Sequence, residues 1–241
     1  MADATGCHVG ARQNCPFLSV VQLPSSHIAT QPLNLLAHMS LAGIVLAAGR
    51  SARMGSPKAL LDFLGLPFVV RILEALEALE VKTRVVVLGP DAPRIQPVLA
   101  GHDCMIVENP EPETGPIASL RGALRALQPL QPTAVLVWPV DLPHVRVATV
   151  ERVLEAHRRT KGYIVVPTLG ERRGHPVIWG SQLFDELLQN PAATREGARA
   201  ILQPHQREVI SVPVDDPAIV DQVNTPDDYE RLVREWNRDI Y

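Results

Sequence analysis

Leu46-Ala47-Ala48-Gly49-Arg50-Ser51-Ala52-Arg53-Met54-Gly55-Ser56-Pro57-Lys58 is the stretch from which the chain is best read. The residues before it, Ala42-Gly43-Ile44-Val45, form a short apolar run of the kind that makes a buried strand. At Gly49 the character changes. Gly49 and Gly55 free the backbone for close approach to a ligand, and Arg50, Arg53 and Lys58 add three cations. Arg offers forked donors to phosphate oxygens and Lys a compact charge. A strand that runs into such a loop is a place for phosphates. It is not the common P-loop, because Ser56-Pro57 separates Gly55 from Lys58. Nor is it the dinucleotide fingerprint, because no Gly-x-Gly-x-x-Gly follows Gly49. The alternative is a surface turn whose basic side chains are only solvated.

Moving outward, 241 residues suit one α/β domain with an extension. A hydrophobic content of 46% is ample for a core, and a net charge of -3 argues against a general nucleic-acid or membrane surface. Aromatics at 4% exclude a base-stacking platform for single strands. Cys7, Cys15 and Cys104 are too few and scattered for a disulfide framework or zinc site, which points to a reducing cytoplasm. Residues 1–38 carry Gly6, Gly10, Pro16, Pro24 and Pro32 with little periodicity. They are expected to be a disordered extension that the native protein can lack, with Met39 a plausible start. A transit peptide or partner arm is the alternative. The domain proper is expected over 39–241.

Along that domain, apolar residues recur at helical spacing over Phe68–Leu79, and Val81–Leu88 reads as a strand. Asp91–Leu99 and Pro116–Leu127 read as helices, with Asp103–Glu108 and Thr133–Val140 as strands. Val145–His157 is again helical and Gly162–Pro167 extended. This alternation predicts an open, mostly parallel sheet with helices on both faces, a three-layer α/β/α fold. Ligands bind such sheets outside the carboxyl ends of the strands. The Leu46–Lys58 loop, the Glu108–Ser119 loop and Asp141 therefore share one rim.

Four further stretches carry chemistry. Thr114-Gly115-Pro116-Ile117-Ala118-Ser119 opens a helix with unpaired amides, and Ser119 adds a hydroxyl; an ordinary turn is the alternative. Asp141, at the tip of a buried strand, is a good hard-metal ligand, since Mg²⁺ is held by one or two carboxylates plus substrate phosphates. Its other reading is a cap for the next helix. Gly170-Glu171-Arg172-Arg173-Gly174-His175 gathers cations that suit an anionic acceptor, or are merely solvated in a turn. In Asp221-Gln222-Val223-Asn224-Thr225-Pro226-Asp227-Asp228, Thr225 to Asp228 make a good helix start, which leaves Asn224 and Asp221 as functional candidates.

Leu-Ala-Ala-Gly followed by Arg53-Met54-Gly55 and Pro57-Lys58 resembles the signature loop of the MobA-like nucleotidyltransferases, above all the molybdenum cofactor cytidylyltransferases. Gly174-His175-Pro176-Val177 and Gly197-Ala198-Arg199 resemble that branch as well. The resemblance implies a Rossmann-like nucleotidyltransferase fold of GT-A type. It implies nucleotide contacts from Leu46, Ala47, Ala48, Gly49, Arg50, Gly55, Lys58, Gly115 and Ser119. Arg53, Lys58 and Asp141 would carry the chemistry. Asp141 would bind Mg²⁺ with help from Asn224 or Asp221, and Arg173 and His175 would meet the acceptor. Ala47-Ala48 favours CTP over GTP as donor; Gly115-Pro116 and Asn224, where the cytidylyl branch usually has Asp, lean to GTP. The implied acceptor is a molybdopterin-type phosphate, and a molybdoenzyme would be the partner that receives the product. A guanylyltransferase and a sugar-1-phosphate nucleotidyltransferase stay open. A glycosyltransferase normally has Asp-x-Asp at its metal, whereas Leu142-Pro143 follows Asp141. A non-catalytic cofactor-binding chaperone is the remaining alternative.

Overall fold

Strand β1 (Leu41–Ala47) lies at the middle of the sheet because it is apolar on both faces. Ala42 and Ile44 enter one core and Val45 and Ala47 the other, each at most 5% exposed. The computed structural model describes residues 40–240, so the expected extension over 1–38 lies outside the described residues. After β1 come β2 (Asp62–Phe63), β3 (Leu66–Pro67), α1 (Phe68–Ala78), β4 (Thr83–Leu88), α2 (Ala92–Leu99) and β5 (Met105–Glu108). Then follow α3 (Pro116–Leu127), β6 (Ala134–Pro139), α4 (Val147–Thr160), β7 (Ile164–Leu169), β8 (Arg172–Arg173) and β9 (Val177–Gly180). The chain continues through α5 (Phe184–Gln189), α6 (Ala192–Glu196), α7 (Arg199–Leu202), β10 (Val209–Pro213) and α8 (Pro226–Ile240).

The main sheet runs β10-β7-β9-β6-β1-β4-β5, with β8 added on β7. β1 is parallel to both neighbours, and the β4–β5 and β7–β10 pairs are parallel too. β9 runs antiparallel between β6 and β7. Two-sided burial explains why the central strands read as continuous apolar runs rather than alternating ones. In β6, Ala134, Leu136 and Trp138 join the core under α1, α2, α4 and α8. Val135 and Val137 join the core under α3, α5, α6 and α7. The fold is thus the expected three-layer α/β/α arrangement with a mixed, mostly parallel sheet. At Gly43 an added Cβ would stand 2.9 Å from the Leu76 side chain, so the missing side chain lets α1 lie close over β1.

Two local expectations change. Helix α4 begins at Val147, so Asp141 stands too far ahead to cap it. Asp216 serves that end instead: its Oδ2 accepts from the Arg146 N–H at 3.0 Å and from the Thr149 hydroxyl at 2.6 Å. The antiparallel β9 was not anticipated. Its four residues are all buried, and a run so short carries no period.

Candidate active site

The loop after β1 is shaped by Ser51. Its φ of 49° is uncommon for a residue with a side chain. In that conformation its carbonyl accepts from the Met54 N–H at 2.8 Å and its Oγ from the Lys58 N–H at 3.0 Å. The chain is thereby folded back, and Lys58 heads a short 3₁₀ turn, Lys58–Leu60. Gly89, just past β4, supports the loop from behind. A Cβ there would stand 2.1 Å from the Ala48 carbonyl oxygen.

Lys58 reaches across to two other elements. Its Nζ donates to Asn224 Oδ1 at 2.8 Å and lies 3.4 Å from Asp141 Oδ2. The Lys58 and Asp141 side chains are only 14% and 17% exposed. Asp141 is placed by β6, whose next residue, Val140, donates its N–H to the Leu46 carbonyl at 3.0 Å. Asn224 is placed by the start of α8. The backbone N–H groups of Asn224 and Thr225 donate to Asp228 Oδ2 at 3.0 and 2.9 Å, and the Asp228 N–H donates to Thr225 Oγ1 at 3.2 Å. This is a capping box. The bond from the Asn224 N–H, with those from Thr225, holds the Asp228 carboxyl below the usual carboxylate range. The Val223 N–H donates to the Asp141 carbonyl at 3.0 Å and ties the two segments together.

These groups border a cavity of about 570 Å³, within the range of about 300–1,000 Å³ usual for small-ligand pockets. Leu46, Ala47, Ala48, Gly49, Arg50, Arg53, Lys58, Gly115, Ser119, Asp141, His175 and Asn224 all line it. Gly115 adopts φ 91°, a conformation that favours glycine, immediately before α3. Arg50 and Glu113 approach to 3.5 Å, both largely exposed, so the guanidinium can turn to a ligand at little cost.

Three expected site residues are not in the cavity wall. Gly55 is exposed in a turn with φ 67°. Arg173 is exposed on β8 and donates from Nη2 to Gln206 Oε1 at 2.8 Å. Asp221 accepts from Arg231 Nη1 at 2.9 Å and Nη2 at 2.8 Å, and His144 Nε2 lies 3.6 Å away. The Arg231 bonds hold the Asp221 carboxyl below its ordinary value. With both oxygens so engaged, Asp221 is occupied as a brace between the loop and α8. His175 does line the cavity. Burial pushes its pKa down, against the pull of Asp141 and a backbone hydrogen bond with Val137, so the imidazole is neutral at pH 7. It can meet an acceptor by hydrogen bonding, not by charge.

A divalent cation fits the residues present. Asp141 Oδ1 is buried with no hydrogen-bond partner, and it stands with Asp141 Oδ2 and Asn224 Oδ1 in an all-oxygen donor set. Among the described residues no group of three His, Cys, Asp or Glu gathers around a point. A cation here would complete its shell with phosphate oxygens and water. Among the described residues, no helix is long and apolar enough to cross a membrane.

Residue patterns alone missed the supports: Gly89 behind the loop, Asp228 beneath Asn224, and Asn109, whose Nδ2 donates to Ser119 Oγ at 2.9 Å. Only the capping-box spacing of Thr225 and Asp228 gave any signal of these contacts.

The family model of the MobA-like NTP transferase domain matches residues 43–209. The bifunctional protein GlmU of Burkholderia lata is 33% identical over 134 residues, which are 55% of this chain and 29% of that protein. The chain thus spans under a third of the length of the curated relatives it matches. Among solved structures, Rv0371c from Mycobacterium tuberculosis H37Rv superposes with a TM-score of 0.68 at 29% identity, covering 81% of this chain and 98% of that one. Rv0371c is also known as a complex with manganese. Molybdopterin-guanine dinucleotide biosynthesis protein A from Archaeoglobus fulgidus superposes with a TM-score of 0.60 at 22% identity, over 82% of this chain and 99% of that one. At that identity the likeness concerns the fold alone.

Proposed function

The chain belongs to the MobA-like NTP transferase family, and on that premise we propose that it moves a nucleotidyl group from a nucleoside triphosphate, CTP in the first place, to a phosphorylated acceptor, releasing pyrophosphate. The observation that carries this reading is the convergence of Lys58, Asp141 and Asn224 at the mouth of a strand-end cavity walled by Arg50 and Arg53.

A phosphate oxygen of the acceptor attacks the α-phosphorus in line, a new P–O bond forms, and the bond to the β-phosphate oxygen breaks. A phosphate monoester is already anionic near neutral pH, so the step calls for no strong base. Positioning and charge stabilisation are what the protein contributes. Arg50, Arg53 and the loop amides hold the triphosphate. Lys58 Nζ meets charge growing on the α-phosphate oxygens, leaving Asn224 and Asp141 to do so. Asp141 and Asn224 would hold a divalent cation, Mg²⁺ by expectation, which when bound supplies further positive charge to phosphate oxygens. That the similar Rv0371c forms a complex with manganese supports a divalent ion.

Ala47-Ala48 line the cavity, and their resemblance to the cytidylyltransferase loop favours cytosine. The acceptor on this reading is a molybdopterin-type phosphate, and a molybdenum hydroxylase receives the product. Asn224 and Gly115-Pro116 favour GTP instead, which makes a guanylyltransferase the second reading. Melting temperatures with CTP, GTP, UTP and ATP, each with and without Mg²⁺, separate them. A ligand at about 100 times its dissociation constant adds roughly 2.7 kcal/mol. A Mg²⁺-dependent shift confined to CTP supports the first reading, and one confined to GTP the second. No shift with any nucleotide counts against both.

A further inference from the structure

Asn109 does not line the cavity, yet its amide is built into the wall behind Ser119. It directly follows β5 and is 8% exposed. Its own N–H donates to the Leu88 carbonyl at 2.7 Å, which pins its backbone to β4. Its side-chain oxygen accepts from the Glu111 N–H at 3.0 Å. A backbone N–H can only donate, so this bond fixes which end of the amide is oxygen. The other end, Nδ2, therefore faces Ser119 and donates to its Oγ at 2.9 Å.

That polarity decides what Ser119 can do. A hydroxyl has one hydrogen to give and two lone pairs. One lone pair is taken by Asn109, and among the described residues the hydrogen is given to no protein group. Ser119 is 4% exposed and borders the cavity, so its unspent hydrogen is free to turn toward ligand space. A buried donor without a partner is costly, which makes a ligand acceptor at this point worth more than one in water.

We infer that Asn109 is a positioning residue for nucleotide recognition: it occupies one acceptor lone pair of the Ser119 hydroxyl and leaves its hydrogen to the ligand, so the nucleotide presents a hydrogen-bond acceptor, a base carbonyl, ring nitrogen or ribose oxygen, at Ser119. This rests on the nucleotidyltransferase reading. Asn109→Asp tests it with almost no change of shape. The new carboxylate still accepts from Glu111, but it now also accepts from Ser119 and draws the hydroxyl hydrogen out of the cavity. Ser119→Ala removes the hydrogen altogether.

The experiment measures dissociation constants for CTP and GTP with Mg²⁺ on the full chain, by calorimetry, for wild type, both single variants and the double variant. Melting temperatures are recorded alongside. For whichever nucleotide the wild type binds, each single variant is expected to bind about tenfold more weakly. The double variant is expected to bind no more weakly than Ser119→Ala alone, because Asn109 acts only through that hydroxyl. Unchanged binding in Asn109→Asp, or losses that multiply in the double variant, overturns the inference. Should Asn109→Asp melt well below the wild type, Asn109→Ser, which keeps a small polar group with less buried charge, replaces it under the same criteria. A wild type that binds neither nucleotide refutes the underlying reading instead, and so the two failures are told apart.

Discussion

Lys58→Ala removes the cation that the structure places between Asp141 and Asn224. The two consequences, for folding and for chemistry, differ in size. At 3.4 Å from Asp141, the gross attraction is about 5 kcal/mol at an effective dielectric of about 20. Most of that is offset by the cost of holding both groups away from water. The variant also keeps the Lys58 backbone bond to Ser51 Oγ, so the loop keeps its anchor. A net loss of about 1–2 kcal/mol is expected, or about 2–8 °C in melting temperature for a chain of this size. Turnover is a different matter. Removing a donor aimed at developing charge costs on the order of 100- to 1000-fold. The assay is pyrophosphate release at saturating nucleotide and acceptor, with a melting curve on the same preparation. A folded Lys58→Ala protein that keeps more than a tenth of wild-type turnover refutes the role given to this side chain.

Asp141→Asn keeps shape but removes the one carboxylate charge that the Asp141–Asn224 donor set offers a cation, and activity is expected to fall at least 100-fold while the Mg²⁺-dependent part of the nucleotide melting shift disappears. Gly89→Ala pushes a methyl against the Ala48 carbonyl, 2.1 Å from where the Cβ would be; about 1–3 kcal/mol of stability and most nucleotide affinity should go together, as a melt and a binding isotherm would show. The depressed carboxyl of Asp221 stabilises the fold above its unfolded pKa, near 4, and that contribution is lost as pH falls through the lower folded value. Arg231→Met should therefore melt below wild type at pH 7, with the gap narrowing as pH falls below the unfolded value; a gap that is constant with pH contradicts the pairing. Asn224→Asp gives a cation a second carboxylate, and a lower Mg²⁺ concentration for half-maximal activity is the outcome to look for.

The central layer was legible because buried parallel strands are apolar throughout, so Leu41–Ala47, Thr83–Leu88 and Ala134–Pro139 stood out whatever their partners. What could not be read was pairing. Nothing in Val177-Ile178-Trp179 says that it will enter the sheet antiparallel between β6 and β7, since that is decided by contacts distant in sequence. The same distinction holds in the cavity. Lys58, Asp141 and Asn224 could be nominated from their residue types at strand and helix ends. Asp221 carries the same chemistry on paper, but ten residues on stands Arg231, whose fork takes both its oxygens. Asn109 and Gly89 act through one hydrogen bond and one close approach, and neither leaves a pattern in the chain.

The most direct test follows the label of [α-³²P]CTP, with Mg²⁺ and a molybdopterin-type phosphate acceptor, while pyrophosphate is measured in the same tube. The account predicts one pyrophosphate released for each labelled nucleotidyl group that moves to the acceptor, and both products falling together, by on the order of 100-fold or more, with Lys58→Ala or Asp141→Asn. Tight nucleotide binding with no pyrophosphate and no labelled acceptor, from any of the four triphosphates, would contradict it and leave a binding protein in place of a transferase.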